Sequence, residues 1–594
     1  MPLPPSVNED TIRSHATEQS FHRGDRYYRQ GAVIALIQRG NTLIGKVEGS
    51  EYEPYRVSIQ FDQGGLTGAT CSCLYSFEGW CKHIVATLLA GLDSPEAIQQ
   101  RPSLDELFGV LTRDRLQTLL EDLLAEQPEL IEDIEILLKI DELEDEIQPT
   151  VSNRTPRRTL VDPQPFYSQV QRMLNYGVGS WDDSPALDEI RGVIAKADDF
   201  TQEGDGANAV VILEAIIDAY RESWMNLDGS SGESGELFYE LDEAFAEALL
   251  STHISTEDQT EWQESLEIWE EDAEAYGIDQ AFAKSQTALI QGWDDPELVA
   301  ILQGETTDGS DLEEPETRFG YSTLAQIRLD ILKRQARYED YLNLAKAQGC
   351  GQEYLMMLVQ IERTEQAIAE APQTLNDPRS ALAVAIALRA KGALTQALEI
   401  AKLGLACEGY GKGQLAEWTS ELAEGFGQTE TSLQSRVTAF TEAPSSADYL
   451  KIQQLAGPTG WPKLQKKLLA NLRKDHTFSI QAAVDIFLHE GLIQDAINII
   501  DQSSSYNSAP IRQVMEAAIK QQPDWVIANA CRRAEAIMDA GKAKYYHHAV
   551  DWLRYIQRAY QQSGQQQKRQ TYYDKLRQKH SRKRKLISLL QVFE

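Results

Sequence analysis

Cysteine is scarce in this 594-residue chain: there are six, and three of them fall between residues 71 and 81. A fold held by disulfides is therefore excluded, because such scaffolds are short and dense in cysteine. Long hydrophobic runs are also missing. The longest apolar stretch, ALAVAIAL at 381–388, is far below the roughly 18 residues that a membrane-spanning helix needs. The first ten residues, MPLPPSVNED, hold neither a basic n-region nor an apolar h-region. A cytoplasmic protein with no membrane partner is the resulting expectation. Positive charge is in deficit as well, with 56 Lys and Arg against 92 Asp and Glu and a net charge of -36. Such a chain repels nucleic acid unless its basic residues are segregated.

Catalytic signatures are absent too. There is no H-E-x-x-H and no G-x-S-x-G, and the nearest imitation of a phosphate loop, GLACEGYGK, has Tyr410 where a lysine should follow Gly409. His547 and His548 are adjacent, so on a helix they diverge by about 100 degrees and cannot chelate one ion together. The chain thus reads as a non-enzyme with no catalytic residue and no small-molecule substrate. An enzyme whose site is assembled from distant residues of the helical blocks is the alternative.

What is present divides the chain in two. In the first 100 residues a helix from Ser20 to a stop at Gly31 precedes three strand-like stretches, at 32–38, 42–49 and 55–61. In the last of these Tyr55, Val57, Ile59 and Phe61 alternate with Arg56, Ser58 and Gln60, the period of a half-buried strand. The short connections RGN and DQGG predict an antiparallel meander. From His83 onward HIVATLLAGL has helical spacing, ended by DSP. The predicted fold is an α+β domain of short antiparallel sheet plus helix over 1–100, followed by a mostly α-helical region. The helical part is expected to comprise an acidic segment at 101–145, a block at 164–303 and a third block at 318–594.

The third block repeats itself. LRAKGALTQALEIA at 388–401 and FLHEGLIQDAINII at 487–500 align Gly392 with Gly491, Ala397 with Ala496 and Ile400 with Ile499. LKRQARYEDYLNLA at 332–345 fits more loosely, with Ala336 at the glycine position and Tyr341 at the first alanine. Helix, tight small-residue turn and second helix make the unit of an alpha-solenoid or of stacked helix hairpins, although the spacing between copies varies. Cys350, Cys407 and Cys531 lie in apolar helical contexts and read as small packed hydrophobes.

The remaining cysteines form CSCLYSFEGWCKH, residues 71–83. Cys71 and Cys73 sit at alternate positions of an extended segment, and seven intervening residues suffice to loop back to Cys81 and His83. Three sulfurs and one imidazole complete a tetrahedron for one structural Zn2+ ion, with no position left open for a catalytic water. Cys81 and His83 fall where the next helix should begin, and its dipole, assisted by Lys82, favours a thiolate. The C-x-C, spacer, C-x-H pattern at the start of an apolar helix resembles a SWIM-type zinc finger. The preceding FHRGDRYYRQGAVIAL resembles what leads into the finger in bacterial members, and the likeness covers about residues 20–92. It implies that Cys71, Cys73, Cys81 and His83 are the zinc ligands and that the finger binds nucleic acid or a protein partner. Leu74 departs from the family, in which proline often follows the second cysteine. The helical remainder resembles the C-terminal regions attached to such fingers in bacteria, which points to a protein-interaction scaffold.

Two basic groups are candidate nucleic-acid contacts. Arg23, Arg26 and Arg29 recur at helical spacing beside Tyr27 and Tyr28, with Lys82 as a further cation near the finger. The group is small and interrupted by Asp25, so a solvated helix face explains it equally well. At the C-terminus the run containing Arg582, Lys583, Arg584 and Lys585 is nearly free of acid. Leu576, Leu586, Leu589 and Leu590 within it favour a closing helix of the array, its basic face paired with acidic helices.

Overall fold

The structure, a computed structural model, describes residues 4, 7–51, 53–75, 77, 79–109, 115, 117, 160–176, 184–227, 232–306, 309, 312, 321–474, 479–502 and 508–593. The acidic segment expected at 101–145, the linker after it and the polar stretch near 304–316 lie largely outside these residues. The chain groups into two compact units, Met1–Leu107 with Glu408–Glu594, and Phe108–Cys407.

In the first unit the N-terminal residues form a small mixed sheet backed by helices. Strands β1 (Val33–Arg39), β2 (Thr42–Val47), β3 (Tyr55–Asp62) and β4 (Gly65–Cys71) make an antiparallel meander. A three-residue β5 (Gln99–Arg101) pairs parallel to β1, giving the order β4-β3-β2-β1-β5. The alternation in β3 holds: Tyr55, Val57, Ile59 and Phe61 are buried. GLTGATC lacks the alternating apolar residues of a legible strand; β4 forms because β3 offers it hydrogen-bond partners from Val57 to Asp62, with one register shift between Gln60 and Phe61.

Helices α1 (Glu9–Ser14), α2 (Glu18–Arg29) and α3 (Lys82–Asp93) complete this domain. α2 is capped by Thr17 rather than Ser20, the Thr17 side chain accepting from the Ser20 N–H at 3.2 Å. Thr17 satisfies one of the unpaired amides of the first turn, and the Ser20 hydroxyl instead meets the Tyr75 hydroxyl at 3.0 Å. A Cβ on Gly24 would stand 2.5 Å from the Val85 side chain, so α2 can lie close across α3 only with glycine there. Leu43, Val57 and Ile59 of the sheet and Val85 and Leu88 of α3 are fully buried in the shared core.

Beyond this domain both units are helical. Among the described residues eight helix pairs share one connection. Each is three residues long, its middle residue has positive φ, and the N–H after that residue closes onto the carbonyl five positions earlier. The middle residues are Gly204 (φ 79), Ala336 (φ 54), Gly349 (φ 66), Glu362 (φ 63) and Gly392 (φ 77) in the second unit, and Gly427 (φ 68), Gly491 (φ 69) and Gly564 (φ 67) in the first. The closing bonds include Ala393 N–H to the Leu388 carbonyl at 2.9 Å and Leu492 N–H to the Phe487 carbonyl at 2.7 Å. The three positions aligned in the sequence, 336, 392 and 491, are thus the same structural residue. Ala397 and Ala496 are fully buried on the packing faces that follow.

The C-terminal run closes the helical core of the first unit. Helices Gln566–Lys579 and Arg584–Leu590 bury Leu576, Leu586 and Leu590 in that core, while Lys579 pairs with Asp539 at 2.9 Å. Cys350, Cys407 and Cys531 are half-buried and form no disulfide. Burial pushes the Cys531 thiol up to about 11, consistent with an inert packed group.

Candidate metal centre

Cys71 is the last residue of β4, opposite Val57. The next residue ends the strand: the Ser72 hydroxyl, in place of a backbone carbonyl, accepts the Arg56 N–H at 3.0 Å. Ser72 still pairs with Arg56, its N–H donating to the Arg56 carbonyl at 2.9 Å, and Cys73 lies in the bend that follows, beyond the extended segment expected from the sequence. Cys81 is the N-cap of α3, with extended φ and ψ, and His83 is in the first turn.

The ligand atoms of Cys71, Cys73, Cys81 and His83 all lie within 4.8 Å of one another, and no other such group occurs among the described residues. Cys71 Sγ is 3.7 Å from His83 Nδ1. In a zinc tetrahedron with bonds of about 2.3 Å to sulfur and 2.0–2.1 Å to nitrogen, that edge is about 3.6 Å and a sulfur–sulfur edge about 3.8 Å. The set fits zinc, with a contraction of up to about 1 Å along its longest edge.

His83 is held by rings. Its imidazole stacks on Tyr55 with centroids 4.2 Å apart and 20° between planes, and Tyr27 meets it edge-on at 5.6 Å. Nε2 is buried without a hydrogen-bond partner among the described residues. Nδ1, at 3.7 Å from Cys71 Sγ, is the ring nitrogen whose spacing from the cluster matches a tetrahedral edge. A Cβ on Gly49 would stand 2.4 Å from the Tyr55 ring, so glycine admits the stack. The sequence marks Tyr27 only as an aromatic beside the α2 arginines and gives none of these residues a place around the histidine. Tyr55 was legible only as a buried strand position, and nothing local to Tyr27 or Gly49 indicates a histidine 34 to 56 residues away.

The electrostatics favour one thiolate before any metal arrives. Cys81 is drawn down to about 3, first by a hydrogen bond from the Cys71 thiol and further by His83 and the Ile84 N–H at the helix start. Cys71 is pushed up, chiefly by that same bond, and Cys73 is pushed up by burial. A divalent cation would displace the two remaining thiol protons. Lys82, expected to assist, points elsewhere: its Nζ reaches the Tyr27 hydroxyl at 2.8 Å and lies 4.4 Å from that ring's centroid.

The loop between the ligand pairs is pinned at both ends. Tyr75 bonds Ser20, and Trp80 stacks on His15 at 4.4 Å while its N–H meets the His15 carbonyl at 2.8 Å. Leu74, immediately before the first pin, is 95% exposed, and Phe77, between the two, is 78% exposed. On α2, Arg23 and Arg26 are exposed and Arg29 pairs with Asp25 at 2.9 Å. The four C-terminal candidates belong to a different part of the same unit, Arg582 and Lys583 in the turn before helix Arg584–Leu590 and Arg584 and Lys585 in its first turn.

Among the described residues no helix is long and apolar enough to cross a membrane. A stretch of 155 residues, 25% of this chain, is 31% identical to a protein described as Zinc finger SWIM domain-containing protein 8 homolog from Drosophila melanogaster. The match spans 7% of that relative's length. The likeness thus reaches an insect protein, while nothing found bears on the expected bacterial affinity. A family model described as SWIM zinc finger matches residues 55–92, which run from the start of β3 to the end of α3 and contain all four ligands: this segment is a SWIM zinc finger.

Proposed function

We propose that the chain is a non-enzymatic binding protein whose zinc finger recognises a protein partner through the loop 74–80, with the helical hairpins serving as a scaffold for further contacts. The observation that carries this reading is the pair Leu74 and Phe77, large apolar side chains held out from a loop fixed by Tyr75 and Trp80. Exposed apolar side chains gathered on one surface mark sites of protein contact. Zinc supplies the rigidity: it joins the end of β4, the loop and the start of α3, and takes no part in chemistry.

Nucleic acid at the finger is the second reading, favoured by exposed Arg23 and Arg26 on α2. Arg29 and Lys82 are less suited to it because each already has a partner. The non-enzymatic reading rests on the sequence, which holds none of the catalytic motifs sought in it.

Affinity capture with the full chain, with and without nuclease, tests the reading. The partner set should survive nuclease and be lost in a Leu74→Ser, Phe77→Ser variant that still holds one zinc. Retention of the same partners by that variant would remove the loop from recognition. Loss on nuclease treatment would favour the second reading.

A further inference from the structure

The acidity of the chain is not shared evenly. Residues 508–593 carry seventeen Lys and Arg against six Asp and Glu. The fold concentrates part of this excess at one end of the C-terminal helices. Helix Pro523–Asp539 and helix Tyr546–Gln562 are joined by a turn holding Lys542 and Lys544, both exposed. Helix Gln566–Lys579 and helix Arg584–Leu590 are joined by a turn that begins the run from Arg582 to Lys585.

Lys583 brings the two turns together. Its Nζ donates to the Met538 carbonyl at 2.5 Å and lies 4.0 Å from where a Cβ on Gly541 would stand. The nearby carboxylate, Asp539, is neutralised by Lys579 at 2.9 Å and faces His580 at 3.5 Å. Lys542, Arg582, Arg584 and Lys585 are exposed and form no ion pair among the described residues. Lysines 40 residues away in sequence therefore join the terminal run on one surface, which the run's own sequence does not reveal.

Aromatic faces occur at the same end. Tyr545 is 42% exposed, and its ring lies near-parallel to His548 at 24° with centroids 6.3 Å apart. His547 and His548 are 3.9 Å apart, and Lys544 Nζ is 4.8 Å from the Tyr545 centroid. Unpaired cations neutralise phosphates, and exposed rings stack on bases that are not already stacked in a duplex.

We propose that this surface, built from the turns at 540–545 and 580–585, binds single-stranded nucleic acid. It is separate from the finger loop and does not depend on the partner proposed there. The apolar face of the last helix closes the core while its basic side faces outward, so one helix serves packing and binding together.

The test uses the full chain with fluorescein-labelled U20 RNA and dT20 DNA, followed by anisotropy across a salt series. Replacing Lys542, Lys544, Arg582, Arg584 and Lys585 with Gln should weaken binding at least tenfold at moderate salt. It should also flatten the salt dependence by about 0.7 in slope for each phosphate no longer neutralised. Tyr545→Ala should weaken binding about tenfold with the slope unchanged. An Arg582→Lys, Arg584→Lys variant should retain binding, and circular dichroism melts would separate weakened binding from loss of fold. The proposal is overturned by no binding at about 50 mM salt, by undiminished affinity in the Gln variant, or by affinity for phosphatidylserine vesicles but not for either oligonucleotide. Loss of binding in the Leu74→Ser, Phe77→Ser variant would also overturn it, by moving the site to the finger.

Discussion

His83 stacks on Tyr55 at 4.2 Å while its Nδ1 stands 3.7 Å from Cys71 Sγ. The packing of one ring thus sets the position of the fourth metal ligand. Tyr55→Leu keeps an apolar side chain but loses the stack, and an aromatic pair contributes about 1 kcal/mol beyond buried area. Competition with a chromophoric chelator should show zinc held roughly five- to tenfold more weakly, with one ion per chain still bound.

Removing a ligand should do far more. Structural zinc contributes on the order of 10 kcal/mol to small domains of this kind. Cys81→Ser or His83→Ala should abolish the bound ion in metal analysis and bring amide exchange in β3, β4 and α3 close to unfolded rates. Intact protection of those segments without zinc would show that the sheet and α2 suffice on their own.

The turn residues predict opposite outcomes by residue type. Ala336 and Glu362 occupy the left-handed conformation that costs an L side chain about 1–2 kcal/mol, whereas Gly392 and Gly491 occupy it freely. Ala336→Gly and Glu362→Gly should each stabilise their hairpins by about 0.5–1 kcal/mol after glycine's added unfolded-state entropy is deducted. Gly392→Ala and Gly491→Ala should destabilise by about 1 kcal/mol. Native-state hydrogen exchange in the flanking helices measures both.

Asp242 gives a pH signature. It is buried and accepts from the Ser285 N–H at 2.8 Å, the Ser285 hydroxyl at 2.7 Å and the Lys284 N–H at 3.2 Å. Lys284 Nζ is 3.9 Å away and also 3.9 Å from Glu243. Burial outweighs these donors and raises the carboxyl to about 6. The folded state then holds a proton that the unfolded state releases near 3.8. Stability from this group is full below pH 4 and falls as pH rises through about 6, by up to roughly 3 kcal/mol. Asp242→Asn should flatten the melting temperature of the second unit across that window; an unchanged slope would assign it to other carboxylates.

Gly425 reports on how the finger is seated in the first unit. A Cβ there would stand 2.5 Å from Gly64 Cα and 2.7 Å from the Gln63 carbonyl, at the β3–β4 turn. Both neighbours are backbone and cannot yield as a flexible side chain would. Gly425→Val should therefore raise amide exchange at 63–66 and expose that turn to limited proteolysis while zinc content stays at one ion.

The sequence by itself determined the ligand set, the alternation of β3, the start of α3 and the turn positions at 336, 392 and 491. Each rests on spacing within about a dozen residues, where strand period, helix period and chain reversal translate directly into neighbours in space. Tertiary structure decided the rest. β4 has no apolar alternation of its own and exists because β3 supplies hydrogen-bond partners. Cys73 lies in a bend beyond the end of β4, which the C-x-C spacing does not record. Tyr27 and Tyr55 enclose His83, and Lys542 and Lys544 join Arg582 and its neighbours, only because packed helices and strands bring residues 28 to 56 positions apart into contact. Such contacts are selected by burial and shape over the whole core, which no local pattern of residues records.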